Sequence, residues 1–272
     1  RVEIFPAGRA GEADARLGGT CLLRGCIPSK ALLHVARVIG ESHEMHEWGI
    51  KFSSPAIEID ALRARKEKVI GNLTAGLKQL AKQRKVKVIH ARAQFTSSTS
   101  MKLSGGDPAT REGDELTFKH CILAAGSMQT KIPGNSIDSP REMATTGALE
   151  LPAIPDSLLV IGGGYIGLEM GSVYAALGTK VTVVELTSGL LPGADRDLVK
   201  PLHKRLESAF ANIYLDTKVV SVKDIGEAVE VEFESSEGKR KETFSRVLVS
   251  IGRKPASKGL GLESTTVPLE QR

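Results

Sequence analysis

Two cysteines, Cys21 and Cys26, lie in the segment GGTCLLRGCIPSK with four residues between them. Pro28 follows at once and suits the first turn of a helix, where its missing N–H costs nothing. A sulfur near a helix N-terminus has its thiolate stabilised by the helix dipole. The pair could therefore close a small disulfide loop and act as a redox centre.

Two other uses of this cysteine pair compete with the redox one. A structural zinc site needs a second pair of Cys or His residues at ligand spacing, and the six histidines supply none. Two core cysteines without a redox role are the plainer alternative. The third cysteine, Cys121 in the segment CILAAG, is expected to be a buried strand residue. We predict no metal site.

The second motif is a glycine-rich turn, GGGYIG, which satisfies the pattern G-x-G-x-x-G at residues 162–167. It follows the apolar run LLVI and opens a helical pattern, as a dinucleotide-binding turn does. Gly162 would allow the tight turn, Gly164 would let a pyrophosphate approach, and Gly167 would let the helix pack closely on the sheet. N–H groups at the helix start attract phosphate. A purely structural turn is the disfavoured alternative.

The next apolar run, VTVVE, ends in Glu185. A carboxylate there can accept hydrogen bonds from a ribose 2′-hydroxyl and would repel a 2′-phosphate. The next Lys or Arg along the chain is Arg196. The sequence therefore predicts binding of NAD in preference to NADP.

These residues must be positioned by helices and strands, and the pattern predicts an α/β protein with two domains. Helices are predicted at residues 28–45, 60–84, 165–177 and 195–209. Strands are predicted at 86–89, 101–103, 116–118 and 121–125, then at 158–161, 181–185, 213–215, 219–223, 229–233 and 247–251. The later strand–helix alternation predicts a parallel sheet with right-handed crossovers, and the domain boundary is placed near Leu149.

Composition limits the class of protein. The 272 residues are 41% hydrophobic and 25% charged, which is ordinary globular usage and excludes a disordered chain. No apolar run approaches the length of a membrane span. Residues 61–92 are rich in Lys and Arg but contain no aromatic residue, so a solvated helix face is favoured over a nucleic-acid surface. Three cysteines and the lack of a signal-peptide core favour an intracellular protein.

Six segments together resemble the flavoprotein disulfide reductases, the class I pyridine nucleotide–disulfide oxidoreductases. The segments are GGTCLLRGCIPSKALLH, KEKVIGNLTAGL, ILAAGS, VIGGGYIGLEMGSVYAALGTKVTVVE, GADRDLVK and VLVSIGRKP. The resemblance extends from about Gly18 to Leu262, and C-x4-C-I-P-S-K followed by G-x-G-x-x-G is highly specific for the family. Glu185 separates the chain from the NADPH-dependent glutathione and mercuric reductases and favours the members that oxidise dihydrolipoamide with NAD.

The resemblance implies a role for each cysteine and a set of cofactor-binding residues. Cys21 would be the thiol that meets dihydrolipoamide, and Cys26 would lie against FAD, from which hydride passes to NAD. On the flavin side the implied residues are Gly19, Thr20, Lys30, Ala93, Ala125, Gly126 and Ser127, with Glu169 as the carboxylate that pairs with Lys30. On the NAD side they are Gly162, Gly163, Gly164, Tyr165, Ile166, Gly167, Glu185, Val219, Gly252 and Arg253.

The implied fold is two Rossmann-like FAD/NAD(P)-binding domains with parallel sheets and small antiparallel meanders. Residues 1–149 would form the FAD-binding domain, which carries the redox cysteines, and residues 150–272 the NAD-binding domain. Family members open with a further glycine motif for FAD and end with a dimerisation domain that supplies a catalytic His–Glu pair. Neither is found here, so we expect an N-terminally incomplete FAD domain and no turnover by this chain alone. Leu23 and Arg24 replace the common Asn-Val.

The same resemblance implies partners and a location. The substrate would be dihydrolipoamide on a lipoyl-carrying protein of a 2-oxo-acid dehydrogenase complex, and the intact protein would be a homodimer. No nucleic acid and no membrane are expected as partners. The expected location is the cytoplasm, or the mitochondrial matrix in a eukaryote. The alternatives are another flavin-dependent disulfide reductase, or a non-catalytic nucleotide-binding fragment that retains the fold.

Overall fold

The structure, a computed structural model, describes residues 2–5, 16–105, 115–132 and 137–270. The chain divides into two compact units. Unit 1 comprises Arg1–Leu23, Gly71–Met128 and Pro255–Arg272, and unit 2 comprises Arg24–Ile70 and Gln129–Lys254. The domain boundary near Leu149 stays a prediction.

The described residues form six α-helices and fifteen strands. The helices are α1 Gly19–Arg24, α2 Cys26–Glu44, α3 Ile59–Gln83, α4 Thr145–Leu149, α5 Tyr165–Ala176 and α6 Arg196–Ala209, with 3-10 turns at Met45–Trp48 and Leu262–Ser264. The strands are β1 Val2–Phe5, β2 Lys87–His90, β3 Arg92–Ser97, β4 Ser100–Ser104, β5 Glu115–Thr117, β6 Ser127–Gln129, β7 Glu142–Met143, β8 Ser157–Ile161, β9 Lys180–Val184, β10 Asn212–Tyr214, β11 Lys218–Asp224, β12 Val229–Ser235, β13 Gly238–Phe244, β14 Arg246–Val249 and β15 Arg253–Pro255. Within this described part, no helix has both the length and the apolar character needed to cross a membrane.

Unit 2 is built on a five-stranded sheet in the order β10-β9-β8-β14-β7. Every neighbouring pair in it is parallel, as the strand–helix alternation predicted. Parallel neighbours need a crossover connection, and α5 and α6 supply those from β8 to β9 and from β9 to β10. Covered strands read as continuous apolar runs, which is why β8, with the sequence SLLVI, has four buried residues out of five.

The two faces of this sheet are covered by different elements, because alternate residues of a strand point to opposite faces. On one face, Val160 and Val183 pack in a core with Met170 and Tyr174 of α5 and with Leu32 of α2. On the other face, Leu159, Ile161 and Val184 pack with Val231, Phe233 and Phe244 of the antiparallel sheet β11-β12-β13. The carboxyl ends of β8 and β9 thus lie between two well-packed layers.

Strand β13 is one element that the sequence pattern missed. Its sequence, GKRKETF, has no apolar alternation, because one face of the three-stranded sheet is exposed and pairs charges across strands. Lys241 Nζ lies 2.9 Å from Glu230 Oε1, and Lys239 Nζ lies 3.6 Å from Glu232 Oε1. Cross-strand pairs of opposite charge support a strand that hydrophobic periodicity does not reveal.

Unit 1 contains a parallel pair, β1 with β2, and an antiparallel meander in the order β3-β4-β5. The small meander confirms the antiparallel arrangement predicted for this region. A small core in unit 1 is formed by Ile89 of β2, Ala91, and Leu103 of β4. The backbone N–H of Phe95 donates to Leu260 O over 2.7 Å, which ties the last described segment of the chain to β3.

The strand predicted at residues 121–125 was wrong. The segment from Phe118 to Gly126 is irregular in the structure, and Ile122 is 94% exposed. Cys121 is exposed as well, not buried as expected. An apolar run forms a strand only where a partner strand satisfies its backbone, and no described strand pairs with this segment.

Candidate functional site

The glycine-rich turn joins the end of β8 to the start of α5. Gly162 has φ of +107°, and a Cβ atom there would lie 2.7 Å from Ser250 O. A Cβ atom on Gly167 would overlap Gly162 O and would lie 2.5 Å from Ser250 Oγ. Both positions therefore accept only glycine, the first for its left-handed backbone and the second for close packing of α5 on the sheet.

Gly164 has a different environment. It is the residue that caps the N-terminus of α5, and a Cβ atom there would have no neighbour within 4 Å. The first N–H groups of an α-helix have no acceptor within the helix. Open space in front of such a helix terminus suits the pyrophosphate of a dinucleotide. The residues present at this turn therefore fit NAD.

Glu185 follows β9 directly and is only 8% exposed. Its carboxylate accepts three hydrogen bonds: Oε2 from the N–H of Gly163 over 2.7 Å, and Oε1 from the N–H and the hydroxyl of Thr187 over 2.9 and 2.8 Å. Because a buried carboxylate is costly unless hydrogen-bonded, these donors are what allow an acidic side chain here. They also hold it against the glycine turn.

The loop after Glu185 is bound to the same turn. The N–H of Leu191 donates to Gly163 O over 2.9 Å, so both sides of the Gly163 residue are hydrogen-bonded. The guanidinium group of Arg196 donates to Leu190 O, Leu191 O and Ala194 O, over 2.7 to 3.0 Å. Arg196, the first cation after Glu185, is therefore engaged by the backbone of the loop.

Ser250, at the end of β14, supports the turn from the other side. Its hydroxyl lies 3.0 Å from Ile161 O and 3.1 Å from Gly162 O, and its N–H donates to Ile161 O over 2.8 Å. Ser250, Thr187 and the loop role of Arg196 were not predicted from the sequence, because no pattern of residue type or spacing marks them.

Three further residues were assigned to the NAD side. Val219 lies in β11, half-buried against the core on the second face of the sheet. Gly252 has φ of +116° and its carbonyl accepts a hydrogen bond from Thr130 N over 3.0 Å. Arg253 is exposed and begins β15. The role of these three residues in NAD binding stays a prediction.

All three cysteines are exposed thiols. Cys21 lies in α1 of unit 1, whereas Cys26 is the first residue of α2 in unit 2. Cys26 thus stands at the N-terminus of a 19-residue helix. The reversible disulfide between Cys21 and Cys26 stays a prediction. The described part of the chain contains no cluster of three or more potential metal ligands.

Lys30 and Glu169 face each other across α2 and α5 within unit 2. Lys30 Nζ lies 4.0 Å from Glu169 Oε1, at the outer limit of an ion pair, and their side chains are 68% and 31% exposed. An exposed pair of this kind contributes about 0–1 kcal/mol. Beside it is a pocket of about 250 Å³, lined by Leu33, Tyr165, Leu168, Glu169, Ser172, Leu191, Leu202 and Leu206.

The other residues assigned to the flavin side lie in unit 1. Gly19 begins α1 with φ of +60°, followed by the exposed Thr20, and Ala93 is half-buried in β3. Ala125 is exposed, Gly126 has φ of +75°, and Ser127 begins β6. A Cβ atom on Gly126 would meet nothing within 4 Å. This open, left-handed turn fits close approach of a ligand to the backbone.

Comparison with known proteins shows the family. The sequence model of the pyridine nucleotide-disulphide oxidoreductases matches residues 7–272. The chain belongs to the pyridine nucleotide-disulphide oxidoreductase family.

Particular relatives narrow the similarity. The chain is 44% identical over 257 residues to a dihydrolipoyl dehydrogenase of Vibrio cholerae, covering 94% of this chain and 53% of that protein. It is 42% identical to a dihydrolipoyl dehydrogenase of Haemophilus influenzae, covering 96% of this chain and 54% of that protein. A leghemoglobin reductase of Vigna unguiculata is 40% identical, covering 96% of this chain and 50% of that protein. The chain spans about half the length of the curated relatives it matches.

Solved structures agree with this assignment. The HOCl-induced flavoprotein disulfide reductase RclA of Escherichia coli superposes with a TM-score of 0.80 at 26% identity, covering all of this chain and 55% of that chain. Its copper(II) complex gives a TM-score of 0.77 at 27% identity, covering 94% of this chain and 53% of that chain. The predicted Rossmann-like α/β fold is therefore confirmed.

Proposed function

We propose that the intact protein is a dihydrolipoyl dehydrogenase, which oxidises dihydrolipoamide to lipoamide and reduces NAD+. The observation that carries this proposal is the buried carboxylate of Glu185 beside the glycine turn, in a chain that also holds Cys26 at the start of α2. An acidic residue at this position favours a nucleotide with a free ribose 2′-hydroxyl. The 44% identity to the Vibrio cholerae enzyme supports the same substrate class.

The cysteines would carry out the thiol chemistry. A thiolate of dihydrolipoamide attacks Cys21 Sγ of the oxidised pair, which forms a mixed disulfide and releases Cys26 as a thiolate. The second substrate thiolate then displaces Cys21 and closes the lipoamide disulfide. This leaves two reduced cysteines and thus two electrons to pass on. Bound FAD supplies the route by which these electrons reach NAD+ as hydride.

The residues of this chain would bind and orient both cofactors. The turn at 162–167 and Glu185 would hold the pyrophosphate and the adenosine ribose of NAD, with Val219, Gly252 and Arg253 contributing nearby. The residues that would hold FAD are Gly19, Thr20, Lys30, Ala93 and Ala125–Ser127, with Glu169 as the partner of Lys30.

We also propose the partners and the organisation that this function requires. The substrate dithiol would be carried by a lipoyl-bearing protein of a 2-oxo-acid dehydrogenase complex, and the intact protein would be a homodimer. Residues 1–149 and 150–272 would serve as FAD- and NAD-binding domains. The location would be the cytoplasm, or the mitochondrial matrix in a eukaryote.

The test is an assay of dihydrolipoamide oxidation by the intact protein, followed through NADH formation and flavin absorbance. We expect NAD-dependent turnover that Cys26→Ser abolishes. Cys121→Ser is the matched control, because Cys121 is another exposed cysteine and has no assigned role, and it should retain activity. Reduction of a different disulfide with NADPH would favour another flavin-dependent disulfide reductase, in line with the likeness to RclA. A colourless, inactive protein that binds NAD would favour the non-catalytic alternative.

A further inference from the structure

Thr187 donates two of the three hydrogen bonds that the Glu185 carboxylate accepts from the described residues. Its N–H and its hydroxyl both donate to the same carboxylate oxygen, Oε1, over 2.9 and 2.8 Å. The hydroxyl also lies 3.0 Å from Gly189 O, but a charged acceptor forms the stronger hydrogen bond. Thr187 itself is exposed, so this contact is not a consequence of core packing.

The acceptor positions of the carboxylate can be counted. A carboxylate offers about four lone-pair positions, two on each oxygen. Thr187 occupies both positions on Oε1, and the N–H of Gly163 occupies one on Oε2. Among the described residues this leaves one position, on the oxygen that is already bound to the glycine turn. A ribose hydroxyl arriving at the turn would therefore meet Oε2 of Glu185.

We propose that Thr187 is a positioning residue that holds the Glu185 carboxylate with Oε2 directed to the nucleotide, and that it thereby sets the preference for NAD over NADP. This rests on the proposed binding of NAD at the glycine turn. Without the Thr187 hydroxyl, Oε1 regains a lone pair and the carboxylate is held by backbone N–H groups alone. NAD binding must then immobilise a side chain that is fixed beforehand in the parent.

The expected size of the effect follows from that immobilisation. Ordering one side chain on binding costs enough to weaken affinity about three- to tenfold. Repulsion of a 2′-phosphate depends on the charge of Glu185 more than on its orientation, so NADP affinity should change by less than about twofold. The ratio of NAD affinity to NADP affinity therefore falls by nearly as much as the NAD affinity itself.

The experiment is calorimetric titration of the intact protein with NAD, NADP and ADP-ribose. Thr187→Val removes the hydroxyl and keeps the shape of the side chain, whereas Thr187→Ser keeps the hydroxyl. Thr179→Val is the matched control, because Thr179 precedes the opposite end of β9. Its hydroxyl has no hydrogen-bond partner among the described residues. Thermal unfolding of each variant separates a binding effect from a loss of structure.

We expect Thr187→Val to weaken the affinity for NAD and for ADP-ribose by the same factor. Thr187→Ser should retain both affinities, and Thr179→Val should match the parent. Parental affinity in Thr187→Val, failure of the serine to restore binding, or an effect on NAD without one on ADP-ribose would each overturn the role of Thr187. In those cases NAD binding by the parent would leave the proposed function standing. No NAD binding by the parent would overturn both.

Discussion

Alanine substitutions at Gly167 and Gly164 should separate the folding role of the glycine turn from its binding role. The methyl group of Gly167→Ala would overlap Gly162 O and would lie 2.5 Å from Ser250 Oγ and 2.9 Å from Val160 Cγ1. The carbonyl of Gly162 has little freedom to move, because Gly162 N donates to Val184 O over 2.9 Å. The helix must therefore shift away from the sheet.

The size of this effect can be worked from the contacts. Inserting a methylene-sized group into a packed site costs about 1–3 kcal/mol, and a clash with main chain belongs at the upper end. For a unit of this size, 1 kcal/mol lowers Tm by about 2–4 °C. We expect Gly167→Ala to lower the Tm of unit 2 by roughly 5–10 °C. Displacement of the helix should also abolish NAD binding at the turn.

Gly164→Ala is the matched comparison. Its methyl group would meet nothing within 4 Å, so only the poorer capping by alanine remains, at less than about 1 kcal/mol. NAD binding should nevertheless fall sharply, because the methyl group occupies the space through which the pyrophosphate reaches the helix terminus. Scanning calorimetry and NAD titration of both variants measure the two effects. Equal destabilisation of the two variants, or parental NAD affinity in Gly164→Ala, would refute the reasoning.

Three further outcomes are expected. Glu185→Gln should weaken NAD binding by roughly tenfold and narrow the preference over NADP, measured as a ratio of Kd values, because the ribose loses a charged acceptor. Burial raises the pKa of the Tyr174 phenol to about 12. Its contribution to stability should be complete below about pH 10 and lost as the pH rises to about 12, as denaturant unfolding with Tyr174→Phe as reference would show. In oxidised protein, mass spectrometry after alkylation should show Cys121 modified and Cys21 and Cys26 protected; free alkylation of Cys26 would contradict the redox role.

Strands β8, β9 and β14 were predictable because they are covered on both faces. Such strands are continuous apolar runs. Strand β8 was predicted to begin one residue later than it does, and helix α5 was predicted one residue longer. The long helices α2 and α3 were equally clear, because amphipathic repeats over many turns leave little choice of element.

The failures occur where a neighbour, and not local pattern, decides the structure. Residues 121–125 are apolar enough for a strand but have no described strand beside them. The opposite holds for β13, whose polar sequence is a strand because β12 pairs with it along seven residues. The short helix α4 also escaped prediction. Its five residues are too few to show a period, and the hydroxyl of Tyr174 binds its Ala148 carbonyl over 3.0 Å.

The candidate site likewise contains some residues that the sequence predicts and others that only the structure reveals. Its glycine turn could be found from the sequence because Gly162, Gly164 and Gly167 are close together along the chain. Only glycine fits at Gly162 and Gly167, and Gly164 leaves open space at the start of α5. The residues that support the turn are distant in sequence or unremarkable in type. Ser250 is almost ninety residues away, and Thr187 is an exposed threonine. The motif predicts that an acid stands at the end of β9, but only the three-dimensional contacts show which carboxylate oxygen is left to receive a nucleotide.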